Sequence, residues 1–319
     1  MKNEIMVVYH NDPDGWASAR LWYKFLNNYR NDETVRERWK EQGKPEIPID
    51  LPIKFFWTDY GKKPPILNDK FLILVDFSFQ PYETFLKVID KCNGVIWIDH
   101  HKTSVEFVEK FSSNFPSNMD YVVYSDNKAA CEMVWEYLYN DSEKPLWLKM
   151  ISCYDVWDFP YGDLQHYLIQ FMYSNADKFK NVGYLTDQEC WWNKIEEIID
   201  INKIDTYEAV RIGRTIFENW LNDRISVLKS IGWKTHMWDH EVFFVNLKGT
   251  NSIPFERFDL SKDCDIWAPF YYDGNSQIWT MSLYSKNVDV SEIAKRYGGG
   301  GHKAAAGFQH KSPFWLTTN

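Results

Sequence analysis

The stretch IMVVYHNDPDGWASARLWYKFL, residues 5–26, sets the frame for the whole chain. Ile5 to Tyr9 is apolar without polar alternation, the pattern of a strand buried on both faces. It runs straight into His10-Asn11-Asp12-Pro13-Asp14-Gly15, and a helical stretch follows from Asp14 to Asn28. Two further runs of the same kind lie downstream, Phe71 to Val75 (FLILV) and Gly94 to Ile98 (GVIWI). Helical stretches are expected at Pro81 to Lys91 and Asn127 to Tyr139. Strands alternating with helices point to an α/β fold with a parallel sheet.

The polar residues at the strand ends carry the chemistry. The first run ends at His10 to Gly15, the second at Asp76 and Ser78, the third at Asp99-His100-His101. Ligands of open α/β sheets bind beyond the carboxyl ends of the strands. One rim therefore receives His10, Asp12, Asp14, Asp76, Asp99, His100 and His101. Any one of these turns alone is an ordinary place for Asp or Asn. All of them together would repel strongly without cations. Mixed histidine and carboxylate donors suit Mn²⁺, with Mg²⁺ or Co²⁺ as alternatives. The number of donors fits two divalent ions sharing a bridging carboxylate, the arrangement that serves in-line phosphoryl displacement.

Composition narrows the class. The 319 residues suit two modest domains, and 45% hydrophobic with 25% charged residues is ordinary for a folded soluble chain. The net charge of −9 argues against charge-driven binding of long duplex nucleic acid. No apolar run approaches the roughly 18 residues of a membrane span. No signal-peptide pattern opens the chain, and the five cysteines are scattered without a CxxC pair. A cytoplasmic location without membrane association is expected, and an oligomer is compatible with the sequence.

A catalytic domain is expected over residues 1–185, a helical connector over 186–231 and a smaller α/β domain over 232–319. Aromatics make up 18% of the chain. Trp135, Trp147, Trp157, Trp191 and Trp192 read most simply as core or interface residues, and Trp16 as packing beneath the rim. Near the C-terminus, Gly298 to Gly301 remove every Cβ from one turn, so that backbone N–H groups can approach a phosphate. From Ser282 to Lys311 five basic residues face two acidic ones, a local charge of +3.

These motifs resemble the DHH phosphoesterase superfamily. HNDPDG at 10–15, VDFS at 75–78 and DHH at 99–101 look like its first three motifs, and CYDVWDF at 153–159 like the fourth. DVSEIAKRYGGGGHKAAAGF at 289–308 is similar to the DHH-associated C-terminal domain, as in nanoRNase/oligoribonuclease-type and RecJ-like proteins. The resemblance implies an active site in a cleft between the two domains. It implies one ion on His10, Asp12 and Asp76, and a second on Asp14, Asp76, His100 and Asp155, with Asp158 competing for the last role. Asp99 would orient a histidine, and His101 would face the scissile phosphate. Gly299, Gly300, Gly301, His302, Lys303 and Tyr284 would bind substrate, Tyr284 standing where many relatives carry an Arg. The implied activity is hydrolysis of short oligonucleotides or dinucleotides to nucleoside monophosphates by a two-metal-activated water. The alternatives are a phosphoanhydride hydrolase and a non-catalytic nucleotide-binding regulatory protein.

Overall fold

A computed structural model describes residues 3–124, 127–140, 142–183 and 191–316, with the side chain of His302 outside the description. The chain divides into two compact units, residues 1–216 and 217–319. None of the helices formed by the described residues is long and apolar enough to cross a membrane.

The first unit contains β1 (Ile5–His10), α1 (Pro13–Asn31), α2 (Glu33–Glu41), β2 (Ile53–Thr58), β3 (Phe71–Val75), α3 (Tyr82–Ile89), β4 (Gly94–Asp99), α4 (Lys102–Phe111) and β5 (Met119–Val123). It continues through α5 (Ala130–Tyr139), α6 (Leu146–Asp155), α7 (Asp163–Ser174), α8 (Ala176–Phe179), α9 (Trp192–Glu196) and the start of α10 (Glu208–Ile231), which runs across the boundary between the units. The described strands form one parallel sheet in the order β2-β1-β3-β4-β5.

The three apolar runs are β1, β3 and β4, buried along almost their whole length. On one face of these strands Met6, Val8, Leu72, Leu74, Val95 and Trp97 pack with Phe85 of α3 and Phe107 of α4 into one core. The chain leaves β1 for one edge and later returns to β3 on the other side of it, so the strand order reverses between β1 and β3. In open α/β sheets that reversal opens a crevice at the carboxyl ends, where His10 and Asp76 stand.

The turn from β1 into α1 is tightly built. Asp12 caps the helix by accepting from the Gly15 N–H at 2.9 Å, and Pro13 opens it. A Cβ on Gly15 would lie 2.2 Å from the His10 carbonyl oxygen, so only glycine lets the helix start this close to the strand.

The second unit begins within α10 and adds β6 (Trp233–Met237), β7 (His240–Asn246), α11 (Ile253–Arg257), β8 (Ile266–Asp273), β9 (Ile278–Tyr284), α12 (Val290–Arg296), β10 (Gly300–His302) and β11 (Ala305–His310). Its mixed sheet has the order β10-β11-β9-β8-β7-β6, with only β7 and β8 paired in parallel. Met281, Leu283 and Phe308 on one face of this sheet pack with Val290, Ile293 and Ala294 of α12.

Candidate metal centre

Four chain segments converge at the carboxyl end of the parallel sheet. His10 ends β1, Asp12 and Asp14 open α1, Asp76 follows β3, and His100 and His101 follow β4. Asp155, the last residue of α6, completes the group from the helical side. Ligand atoms of His10, Asp12 and Asp76 all lie within 4.8 Å of one another, as do those of Asp14, His100 and Asp155, and of Asp76, His100 and His101.

Asp76 stands between these sets. Its Oδ2 faces His10 Nδ1 at 3.7 Å, and its Oδ1 faces His100 Nε2 at 3.3 Å. Its backbone is left-handed at φ 55°, a conformation Asp tolerates better than most residues and which is common at functional sites. His100 Nε2 also lies 3.6 Å from Asp14 Oδ2 and 3.3 Å from Asp155 Oδ2.

The polar groups are not all paired. His10 Nδ1 lies 2.5 Å from Asp12 Oδ2. Asp76 Oδ2 is buried with no hydrogen-bond partner among the described residues. Buried polar atoms are rarely orphaned unless something else binds them. Burial, together with the charges of Asp14 and Asp12, pushes the Asp76 and Asp155 carboxyls well above the ordinary range. Clustered carboxylates, one with an unpartnered oxygen, beside histidine nitrogens fit divalent cations, which would neutralise the charge and bind that oxygen.

Two supports lie outside the donor sets. Asp14 accepts from the backbone N–H groups of Ala130 at 2.8 Å and Cys131 at 2.7 Å, the first residues of α5. A helix N-terminus thus holds this carboxylate in one orientation. Asp99 is fully buried, with Oδ1 on His101 Nδ1 at 2.7 Å and Oδ2 accepting from Ser104 Oγ at 2.6 Å. Burial pulls the Asp99 carboxyl upward, but the hydrogen bond and charge of His101 outweigh it and hold it below the usual range. For His101, burial works against the charged ring, and the same bond to Asp99 reverses that and raises its pKa.

Of the two acidic residues competing for the fourth position, Asp155 reaches the cluster. Asp158 is exposed, its N–H donating to the Cys153 carbonyl and its own carbonyl accepting from Gln165. The chain reverses between them at Trp157, whose φ is 59°. The α5 donors and the Ser104 link could not be anticipated, because no sequence spacing joins Ala130 to Asp14.

In the second unit the glycine run is largely occupied by its own fold. Gly298 is left-handed at φ 77°, and the N–H groups of Gly298 and Gly299 donate to Lys295 and Ala294, closing α12. A Cβ on Gly299 would lie 2.1 Å from the Gly307 carbonyl oxygen, and one on Gly301 2.5 Å from Ala306 Cα. These two are glycine so that β10 can approach β11; only Gly300, among the glycines expected to bind substrate, has open space where a side chain would be. The Tyr284 hydroxyl donates to the Thr250 carbonyl at 3.1 Å, and Lys303 is exposed. The His302 side chain lies outside the described residues. Beside this turn Thr280, Ser282, Gly298, Gly299, Gly307 and Gln309 line an open depression of about 350 Å³.

Residues 4–154 match the model of the DHH family, N-terminal domain. The uncharacterized protein R106 of Acanthamoeba polyphaga mimivirus is 25% identical over 322 aligned positions, covering 95% of this chain and 66% of that protein. The uncharacterized protein MG371 of Mycoplasma genitalium is 36% identical over 47 positions, 15% of this chain and 14% of its own length. The chain therefore spans no more than about two thirds of these relatives. Among solved structures, the pGpG-specific phosphodiesterase PggH of Vibrio cholerae matches 96% of this chain and 93% of its own at a TM-score of 0.52 and 15% identity, a likeness of fold.

Proposed function

Residues 4–154 being a DHH family N-terminal domain, we propose that this chain is a metal-dependent phosphoesterase that hydrolyses phosphodiester bonds of short oligonucleotides or dinucleotides, releasing nucleoside monophosphates. The observation that carries the reading is Asp76, whose two carboxylate oxygens face two separate histidine-carboxylate sets. His10, Asp12 and Asp76 would hold one divalent ion, and Asp14, Asp76, His100 and Asp155 the other, with Mn²⁺ the ion best suited to the mixed donors. When bound, the ions supply positive charge to the phosphate oxygens and lower the pKa of an attacking water.

The remaining work falls to the chain itself. Asp14, gripped by the α5 N-terminus, keeps its orientation whether or not a cation is present. Asp99 engages His101 Nδ1, which leaves Nε2 for the substrate. Facing the substrate through Nε2, the His101 ring is placed to donate a proton to the leaving oxygen as the P–O bond breaks. The buried Ser104 hydroxyl fixes the far side of Asp99, so the His101 ring is positioned before substrate arrives. The local positive charge from Ser282 to Lys311 favours a polyanionic substrate such as a nucleotide.

A screen of di- to pentanucleotides, cyclic dinucleotides and pyrophosphate with added Mn²⁺, products resolved by mass, tests this reading. Metal-dependent release of nucleoside monophosphates is expected. Cleavage of pyrophosphate alone would make the chain a phosphoanhydride hydrolase, and no cleavage at all would make it a binding protein.

A further inference from the structure

Three large aromatic side chains in the first unit are partly exposed on or near the segments that carry the donors. Tyr60 is 42% exposed, Trp157 47% and Tyr173 46%. Trp157 belongs to a group of tryptophans that sequence reading assigns to the core or an interface, and within that group Trp147 and Trp192 are buried. Leaving an indole in water forgoes the burial that normally accounts for such a residue. Holding it at φ 59° adds backbone strain that a bulky side chain rarely accepts.

The Tyr60 ring lies 5.5 Å from that of His10 and 6.0 Å from that of His101, with Phe77 supporting it at 4.8 Å. It therefore adjoins the set of His10, Asp12 and Asp76. Trp157 follows two residues after Asp155, and its ring meets Tyr154 at 5.9 Å and Phe159 at 5.1 Å. Tyr173 stands edge-on to Trp16 at 5.9 Å, and Trp16 bonds Asn11 in the loop between β1 and α1. These aromatic neighbours hold the exposed rings in place. Rigid rings with one open side are what stacking of a planar base requires, and such stacking is indifferent to which base is bound.

Building on the phosphodiesterase reading, we infer that Tyr60, beside His10 and His101, Trp157, two residues beyond Asp155, and Tyr173, against Trp16 of α1, are stacking platforms for bases of the substrate. The substrate class is then one that carries bases, and polyphosphate or pyrophosphate, which has no ring, leaves the platforms empty.

Binding decides it without requiring turnover. Two probes are titrated calorimetrically in the presence of Mn²⁺: a dinucleotide joined by a non-cleavable methylenephosphonate linkage, and the same backbone without bases. The wild-type protein should bind the base-bearing probe at least a hundredfold more tightly. Trp157→Gly suits a left-handed backbone and keeps the fold; it should erase about tenfold of that preference, as should Tyr60→Ala. An equal affinity of the wild-type protein for both probes, binding of neither, or a preference intact in both variants would overturn the platforms. Hydrolysis of dinucleotides without base preference would sink the platforms and leave the phosphodiesterase standing. Base preference without hydrolysis would do the reverse.

Discussion

Asp76 combines three demands in one residue. It must accept a left-handed backbone, offer two oxygens to two donor sets, and survive burial beside like charges. Asn tolerates the same backbone but supplies one oxygen and no charge. Asp76→Asn is therefore expected to lower kcat about a thousandfold, roughly 4 kcal/mol of transition-state stabilisation. The metal-free variant should unfold at a higher denaturant concentration than the wild-type protein, because one member of a repelling cluster has lost its charge. A variant that is both inactive and less stable would show that Asp76 acts as a folding residue. Gly15 belongs to the same scale. Sequence places it at the end of the HNDPDG motif after β1, but the reason it is glycine, contact with the His10 carbonyl, is visible only in three dimensions.

At the scale of elements, the N-terminus of α5 is the least expected part of the centre. Ala130 is the first residue of that helix, and its N–H serves Asp14 in place of the helix's own ladder. Proline is well suited to a first helical position, and Ala129 already has the extended backbone that a following proline prefers. Ala130→Pro should thus delete one hydrogen bond to Asp14 while costing the helix little. Metal affinity should fall about 10- to 100-fold, as is usual when an outer partner of a ligand is removed, with the unfolding midpoint nearly unchanged. An unchanged affinity for Mn²⁺ would mean that Cys131 alone suffices to orient Asp14. Two strands, β2 and β5, were not evident from sequence. Both lie at sheet edges and are only partly buried, so neither shows the continuous apolar run that marked β1, β3 and β4.

For the molecule as a whole, the charge held at the centre links metal binding to pH. In the metal-free protein the folded pKa values of Asp76 and Asp155 lie above their unfolded values. Stability from such groups is fully present below the unfolded pKa, about 4, and is lost as pH rises through the folded value. A bound cation requires both carboxylates charged and removes that loss. The rise in Tm on adding Mn²⁺ should therefore grow from about pH 5 to pH 8, and calorimetry in buffers of different ionisation enthalpy should show proton release on binding. A metal effect independent of pH, with no protons released, would mean that the carboxylates are already ionised in the free protein.

Which residues stand at the ends of β1, β3 and β4 follows from sequence alone, because a strand's buried run and the polar turn after it are neighbours along the chain. The parallel α/β class and the gathering of His10, Asp12, Asp14, Asp76, His100 and His101 on one rim come with it. Tertiary structure alone decides what depends on distant segments. Asp155 reaches the centre and Asp158 turns away because the backbone reverses at Trp157. Trp157 faces water while Trp147 and Trp192 are buried, though all are tryptophans at or after helices. Gly299 and Gly301 are glycine because β11 lies against them. Periodicity along a chain reports which side of an element is apolar, whereas the neighbour that covers that side is brought there by the fold.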